Sequence, residues 1–249
     1  MSVIDTDYNG ESFLIRTLRC LDKELNVVLC YYYVMVSRST TSLQRRQRER
    51  SEMRHNILEA AREMFVRQGY EATTMRAIAD RIGYTPTAIY HHFRNKEALL
   101  TELTTQDFRT LAQAFQKLGA VSDPVERLRR IGRAYIEFGL THPMHYRLMF
   151  MTPHPDVKDP KSITQGDPSQ DAYAFLVQSC TEAIAAGRFR PELKDAQQVA
   201  QMLWAGCHGL VSLRIAKEHD DWVEWRDIRE TANEMHDVMM KGLAREGTL

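Results

Sequence analysis

The chain has 249 residues with 33 Lys+Arg balanced against 33 Asp+Glu, so its overall charge argues neither for nor against a nucleic-acid partner. Four cysteines, Cys20, Cys30, Cys180 and Cys207, lack the spacing of a disulfide framework, which excludes a stapled secreted scaffold and points to a reducing cytoplasm. The charge is unevenly placed: residues 38–100 hold 12 Lys+Arg against 7 Asp+Glu, while residues 101–249 hold 18 against 21.

In chain order, residues 1–44 read as an N-terminal extension. Leu14, Leu18, Leu21, Leu25, Val28 and Tyr32 follow helical steps, but over too short a run for a coiled coil. Val27 to Val36 is apolar yet too short to span a bilayer, and the acidic segment before it does not suit a secretory signal. A translation start at Met35 is an alternative reading of this extension. Arg45, Arg46, Arg48 and Arg50 then form a basic arm suited to phosphates or a minor groove, with a solvated disordered arm as the alternative.

Ile57, Ala61, Met64 and Phe65 mark an amphipathic helix that stops at Gly69. Next, Thr74 is a good N-cap, and Met75, Ile78, Ala79 and Ile82 form the apolar face of a short helix closed by Gly83. Thr85 offers a second N-cap and Pro86 suits the first helical position, so another helix begins at once. Ile89 and Phe93 can face inward, leaving Thr87, Tyr90, His91 and Arg94 outside. Two short helices joined by a glycine turn are a geometry that can push one helix into a major groove.

From about Arg54 to Leu100 the sequence resembles the DNA-binding domain of the tetracycline-repressor (TetR) family of bacterial regulators. The likeness rests on Ile57-Leu58-Glu59-Ala60-Ala61, Phe65, Gly69-Tyr70, Thr73-Thr74, Ile78-Ala79, Gly83, Ala88–Phe93 and Asn95–Leu100. It implies a homodimer whose recognition helices read two half-sites of operator DNA, with a helical C-terminal domain for dimerisation and effector binding. By that resemblance Arg76 sits where some relatives reach base edges, and an arginine can grip guanine with two hydrogen bonds. A phosphate contact or solvated charge is the alternative there. Thr85, Pro86, Thr87 and Ala88 lead the recognition helix, and Thr87 could offer its hydroxyl or methyl to a base. Tyr90, His91, His92 and Lys96 match positions that hold the phosphate backbone, and Thr74 can donate to a phosphate as well as cap. For His92 a core-facing histidine is a fair alternative. This group should govern affinity and salt dependence rather than sequence preference.

Beyond Leu100 the pattern stays helical and the expected class is all-α, with a DNA-binding domain over 45–100 and an effector and dimerisation domain over 101–249. Helices are expected over Glu97–Lys117, from Pro124, over Met144–Met151, then over about Ser169–Ala186, Asp195–His219 and Asp221–Arg245. His142–Phe150 and Trp204-Ala205-Gly206-Cys207-His208-Gly209-Leu210 resemble the TetR C-terminal domain type named for its Trp-His-Gly signature. The last two helices are the expected dimer surface: Ala205, Gly206 and Gly209 permit close approach, and Trp204, Leu210 and Leu213 add apolar area. Phe108, Phe115, Tyr135, Phe138, Tyr146, Met149, Tyr173 and Trp204 are the effector-pocket candidates that the resemblance suggests, although such stripes are more often ordinary core. No charged anchors stand out, so the expected effector is a small apolar or aromatic molecule.

His142 and His145 are three apart but lack a third convergent ligand, which makes a metal-responsive regulator the weaker alternative. No cofactor is expected. No nucleophile–base pair or phosphate-binding glycine loop suggests an enzyme. The expected function is a ligand-responsive repressor, with an activator or nucleoid-type organiser of the same fold as the other reading.

Overall fold

The structure, a computed structural model, describes residues 23–155, 163–245 and 247. The described residues form nine helices: α1 (Lys23–Gln68), α2 (Met75–Ile82), α3 (Pro86–Tyr90), α4 (Lys96–Gln116), α5 (Pro124–Thr141), α6 (Pro143–Phe150), α7 (Ala172–Ala185), α8 (Ala196–Lys217) and α9 (Ile228–Leu243). The only β pairing among them is one isolated antiparallel bridge, Phe189 with Ala244. None of the described helices is long and apolar enough to cross a membrane.

Two units divide at His55, Met1–His55 and Asn56–Leu249. In the first, Arg45, Arg46, Arg48 and Arg50 lie within α1 rather than on an arm before it. Arg45–Glu49 and Arg48–Glu52 pairs, at 3.4 and 2.9 Å, join successive turns there, and such spacing favours helix. The leucine run from Leu14 begins outside the described residues and continues onto α1 from Leu25.

In the second unit, α1 ends where Gly69 takes φ 89°. Asn95 caps α4, accepting from Ala98 N–H. Asp123 caps α5, where Pro124 needs no hydrogen-bond acceptor for its nitrogen. Two expected helix starts move. α7 begins at Ala172, because Asp171 rather than Ser169 caps it, accepting from Tyr173 and Ala174 N–H. α9 begins seven residues after Asp221, at Ile228, with Asp227 as its cap. The intervening stretch is held irregular by Trp222, which donates to Asp220, and Trp225, which donates to Lys217 O.

The C-terminal core runs through α4–α9, with Leu128, Ile131, Leu176, Val199 and Val211 buried at its centre. Where α5 meets α9 the packing depends on glycine. A Cβ on Gly132 would lie 1.7 Å from His236 Cε1, so the histidine ring occupies the space any other residue would fill.

Candidate nucleic-acid interface and effector cavity

The α2–α3 unit is built by short-range bonds. Thr74 and Thr85, both extended, accept from Ala77 and Ala88 N–H respectively and so start each helix. Gly83, at φ 73° and ψ 28°, takes the left-handed conformation that lets its own N–H and that of Tyr84 close the end of α2. Met75, Ile78, Ala79, Ile89 and Phe93 are buried beneath. Arg81 clamps Glu63 of α1 through Nη2, at 3.0 and 2.9 Å, and that guanidinium holds the Glu63 carboxyl below the usual carboxylate range.

Around this small core the candidate DNA residues are exposed or half-buried. Thr74, Arg76, Thr85, Thr87, Tyr90 and His91 are exposed, with the Tyr90 side chain 53% so. Pro86, Ala88 and His92 are half-buried behind them. Lys96, expected on a phosphate, is half-buried and makes contacts within the chain. Its ammonium donates to Tyr70 O at 2.7 Å and lies 4.1 Å from the centroid of the Tyr70 ring, so it anchors the α1–α2 turn.

A buried ion cluster ties this three-helix unit to the rest. Arg62 of α1 grips Asp107 of α4 with both terminal nitrogens, one at 3.0 Å, and each residue is only 3% exposed. His145 of α6 bonds the same carboxylate, Nδ1 to Oδ1 at 2.8 Å. No local pattern marks this group, since its members lie 45 and 38 positions apart.

Within α4–α9 is a cavity of about 330 Å³. Of the eight expected residues, Phe108, Phe115, Tyr135, Met149, Tyr173 and Trp204 line it. Phe138 and Tyr146 do not: Phe138 stacks on His142 at 5.2 Å, and Tyr146 is wholly buried in the wall behind Tyr135. The sequence reading missed Leu111, Leu128, Ile131, Phe150, Leu176 and Leu203. Several fall one or two turns from an aromatic that lines the cavity, but aliphatic residues at that spacing look the same whether they line a void or fill a core.

Behind the cavity wall runs a chain of hydrogen bonds. Trp204 indole N–H donates to the Tyr135 hydroxyl at 2.9 Å, the Tyr135 and Tyr146 hydroxyls are 3.0 Å apart, and Tyr146 lies 2.7 Å from His208 Nδ1. The indole can only donate. If His208 Nδ1 also donated, the two hydroxyl hydrogens between would share a single internal acceptor. Full pairing therefore runs one way, from Trp204 to Tyr135 to Tyr146 to an accepting His208 Nδ1. Burial agrees with neutral partners: it pushes the Tyr135 hydroxyl up to about 12, raises Tyr146 further, and lowers His208.

The outer faces of α8 and α9 expose Met202, Leu213 and Val238, with Leu213 57% and Val238 67% accessible. Ala205 is exposed there and Leu210 half-buried. Gly206, expected to admit a partner helix, packs within the chain instead, where a Cβ would meet Met239 Sδ at 2.8 Å. Gly209 is open: among the described residues, nothing lies within 4 Å of the point a Cβ would occupy. His142 and His145 rings are 5.3 Å apart, but among the described residues no cluster of three or more His, Cys, Asp or Glu is placed to hold a metal.

Comparison with known proteins agrees with this architecture. The family model for bacterial regulatory proteins of the tetR family matches residues 57–103, and one for a tetracyclin repressor-like C-terminal domain matches residues 128–239. The HTH-type transcriptional activator FasR of Mycolicibacterium smegmatis is 32% identical over 136 residues, covering 54% of this chain and 58% of FasR, less than two thirds of that relative's length. The HTH-type transcriptional repressor KstR2 of the same organism is 28% identical over 142 residues, 56% of this chain and 69% of KstR2. In fold, the ketosteroid transcriptional regulator KstR2 of Mycobacterium tuberculosis superposes with a TM-score of 0.59 at 21% identity, covering 78% of this chain and 96% of that one. With both halves matched by models of one family, on a fold that it shares, this chain belongs to the TetR family of bacterial regulatory proteins.

Proposed function

We propose that this chain is a ligand-responsive, sequence-specific DNA-binding transcriptional regulator, a cytoplasmic homodimer that represses by holding operator DNA and leaves it when a small apolar or aromatic effector enters the cavity. The observation that carries the reading is the exposure of Thr74, Arg76, Thr85, Thr87, Tyr90 and His91 on a capped helix–turn–helix. In it Arg76 and Thr87 read bases, while Thr74, Tyr90, His91 and His92 hold phosphates. Lys96 joins them on the phosphates, its ammonium braced on Tyr70. Residues 45–100 serve DNA and 101–249 serve effector and dimer contacts. Trp204 and His208 at the two ends of one hydrogen-bond chain support assigning the second half to the Trp-His-Gly type.

Helix α6 is the route from cavity to DNA. Met149 and Phe150 face the cavity, and Tyr146 joins the chain behind it. His145, one residue earlier, bonds the Asp107 that Arg62 of α1 holds. An effector that shifts α6 pulls on the first helix of the DNA-binding unit. A clear switch requires the effector to prefer the released conformer by a few kcal/mol.

Selection from random duplexes tests the function directly. A near-palindromic site should emerge, bound with strong salt dependence, and recovery of no preferred sequence would sink the reading. An activator is the second reading, favoured by the 32% identity to FasR. In vitro transcription from a promoter carrying the selected site, with and without the protein, separates the two by its sign.

A further inference from the structure

Around the cavity, the aromatic N–H and O–H donors of the wall already have protein acceptors. Trp204 N–H is taken by Tyr135, whose own hydroxyl hydrogen goes to Tyr146. Tyr173 donates to Gln197 Oε1 at 2.7 Å. Cys207 and His236 face each other, Sγ to Nε2 at 3.1 Å, while His236 Nδ1 is buried without a hydrogen-bond partner among the described residues and is closed off from a ligand. Among the described residues the one formal charge in the wall is negative. It is the Asp171 carboxylate, already accepting from Tyr173, Ala174 and Gly166 N–H. An acceptor-rich ligand would lose its water here and find no donor in exchange.

We propose that the cavity selects neutral, hydrocarbon-rich molecules and rejects carboxylates and carbonyl compounds of the same size, because the Trp204–Tyr135–Tyr146–His208 chain uses up the donors of its wall. The proposal rests on reading the cavity as the effector site and adds the chemistry of what enters it. At the packing density of protein interiors, ~0.74, the space holds roughly 240 Å³ of ligand. A ten-carbon chain with a small head fits within that. A hydroxyl head is tolerated because the Tyr135 oxygen keeps one lone pair that can accept from it. The same chain makes Tyr135 the residue that sets this preference. Removing its hydroxyl frees the Trp204 N–H to meet a ligand carbonyl. Removing the Tyr146 hydroxyl frees nothing, because Tyr135 can turn its hydrogen to His208 Nδ1, 3.4 Å away.

The test is calorimetric titration of the full chain, without DNA, with 1-decanol, 2-decanone, decanoate and decylammonium at pH 7.5. 1-Decanol should bind, 2-decanone roughly tenfold more weakly, and both ions more weakly still. Tyr135→Phe should tighten 2-decanone roughly tenfold, and Tyr146→Phe should leave it unchanged. Both changes keep the ring, and thermal melts of each variant confirm folding. The proposal is overturned if decanoate or decylammonium binds as tightly as 1-decanol, if none of the four binds, or if folded Tyr135→Phe gains nothing for the ketone. A chain that takes 1-decanol but ignores all duplex DNA would refute the regulator reading and leave this one standing. The reverse result would do the opposite.

Discussion

Single side chains decide both sequence reading and acid tolerance. Arg76 stands exposed in the first turn of α2, so Arg76→Ala should remove about 1–3 kcal/mol of discrimination at one base position. Repeating the duplex selection with the variant measures this, and an equal loss on specific and random DNA would reassign Arg76 to the phosphates. His208 and His236 are both held below their ordinary value of 6.5, His208 by burial and His236 by burial with Arg133 and Arg129 nearby. The unfolded chain therefore binds these protons first as pH falls. Their contribution to stability is complete above about pH 6.5 and is lost as pH drops from there toward the depressed folded values. Protonation at His208 also turns the acceptor end of the hydroxyl chain into a donor and leaves one tyrosine hydrogen unpaired. Urea melts at pH 7.5 and 5.5 should show a lower midpoint in acid. His208→Phe should shrink that difference while lowering the pH 7.5 stability by about 1–3 kcal/mol, since Tyr146 then lacks its acceptor.

At the scale of elements, glycine marks where the chain tolerates no side chain. Gly83→Ala forces a Cβ into the left-handed region and should cost about 1–2 kcal/mol, with DNA affinity falling as α2 and α3 lose their angle. Gly132→Ala should be worse for the C-terminal half, because His236 has nowhere to retreat between α5 and α9, whereas Gly209→Ala meets open space. Denaturant midpoints of the two helical variants provide the comparison, and equal losses would show that the α5–α9 crossing relaxes freely. The caps of these elements were legible in the sequence because a cap joins residues two or three apart. Thr74 and Thr85 both do what their positions suggest. The starts of α7 and α9 were not legible: acidic or serine residues crowd both approaches, and the choice among them depends on what the rest of the loop bonds to.

For the whole molecule, two predictions concern how parts are joined. Leu213 and Val238 are exposed on the last two long helices, so Leu213→Asp or Val238→Asp should leave the fold intact. Each should shift sedimentation equilibrium toward single chains and weaken binding to operators whose half-sites lie about 34–36 Å apart. An unchanged association state would move the dimer surface elsewhere. Asp107→Asn leaves the buried Arg62 guanidinium with only the more exposed Glu59, 3.5 Å from its Nε, as ion partner, a loss of up to about 3–5 kcal/mol. The gentler His145→Gln should keep DNA binding and reduce the effect of 1-decanol on it, measured as the shift in half-saturation of labelled operator. A full decanol response in that variant would remove α6 from the route.

The amino-acid sequence by itself determined the helical class and the helix–turn–helix. Each rests on bonds and periodicities that close within about a turn, where propensity and capping act almost independently of the rest of the chain. The same locality explains why the Lys96 contact with Tyr70, 26 positions earlier, was not legible in the sequence. Only the tertiary structure decided the Arg62–Asp107–His145 cluster, the one-way chain from Trp204 to His208, and which aromatic residues face a void rather than a neighbour. Those features join groups up to 73 positions apart across several helices, and their energies depend on burial and pairing that exist only once the helices have packed.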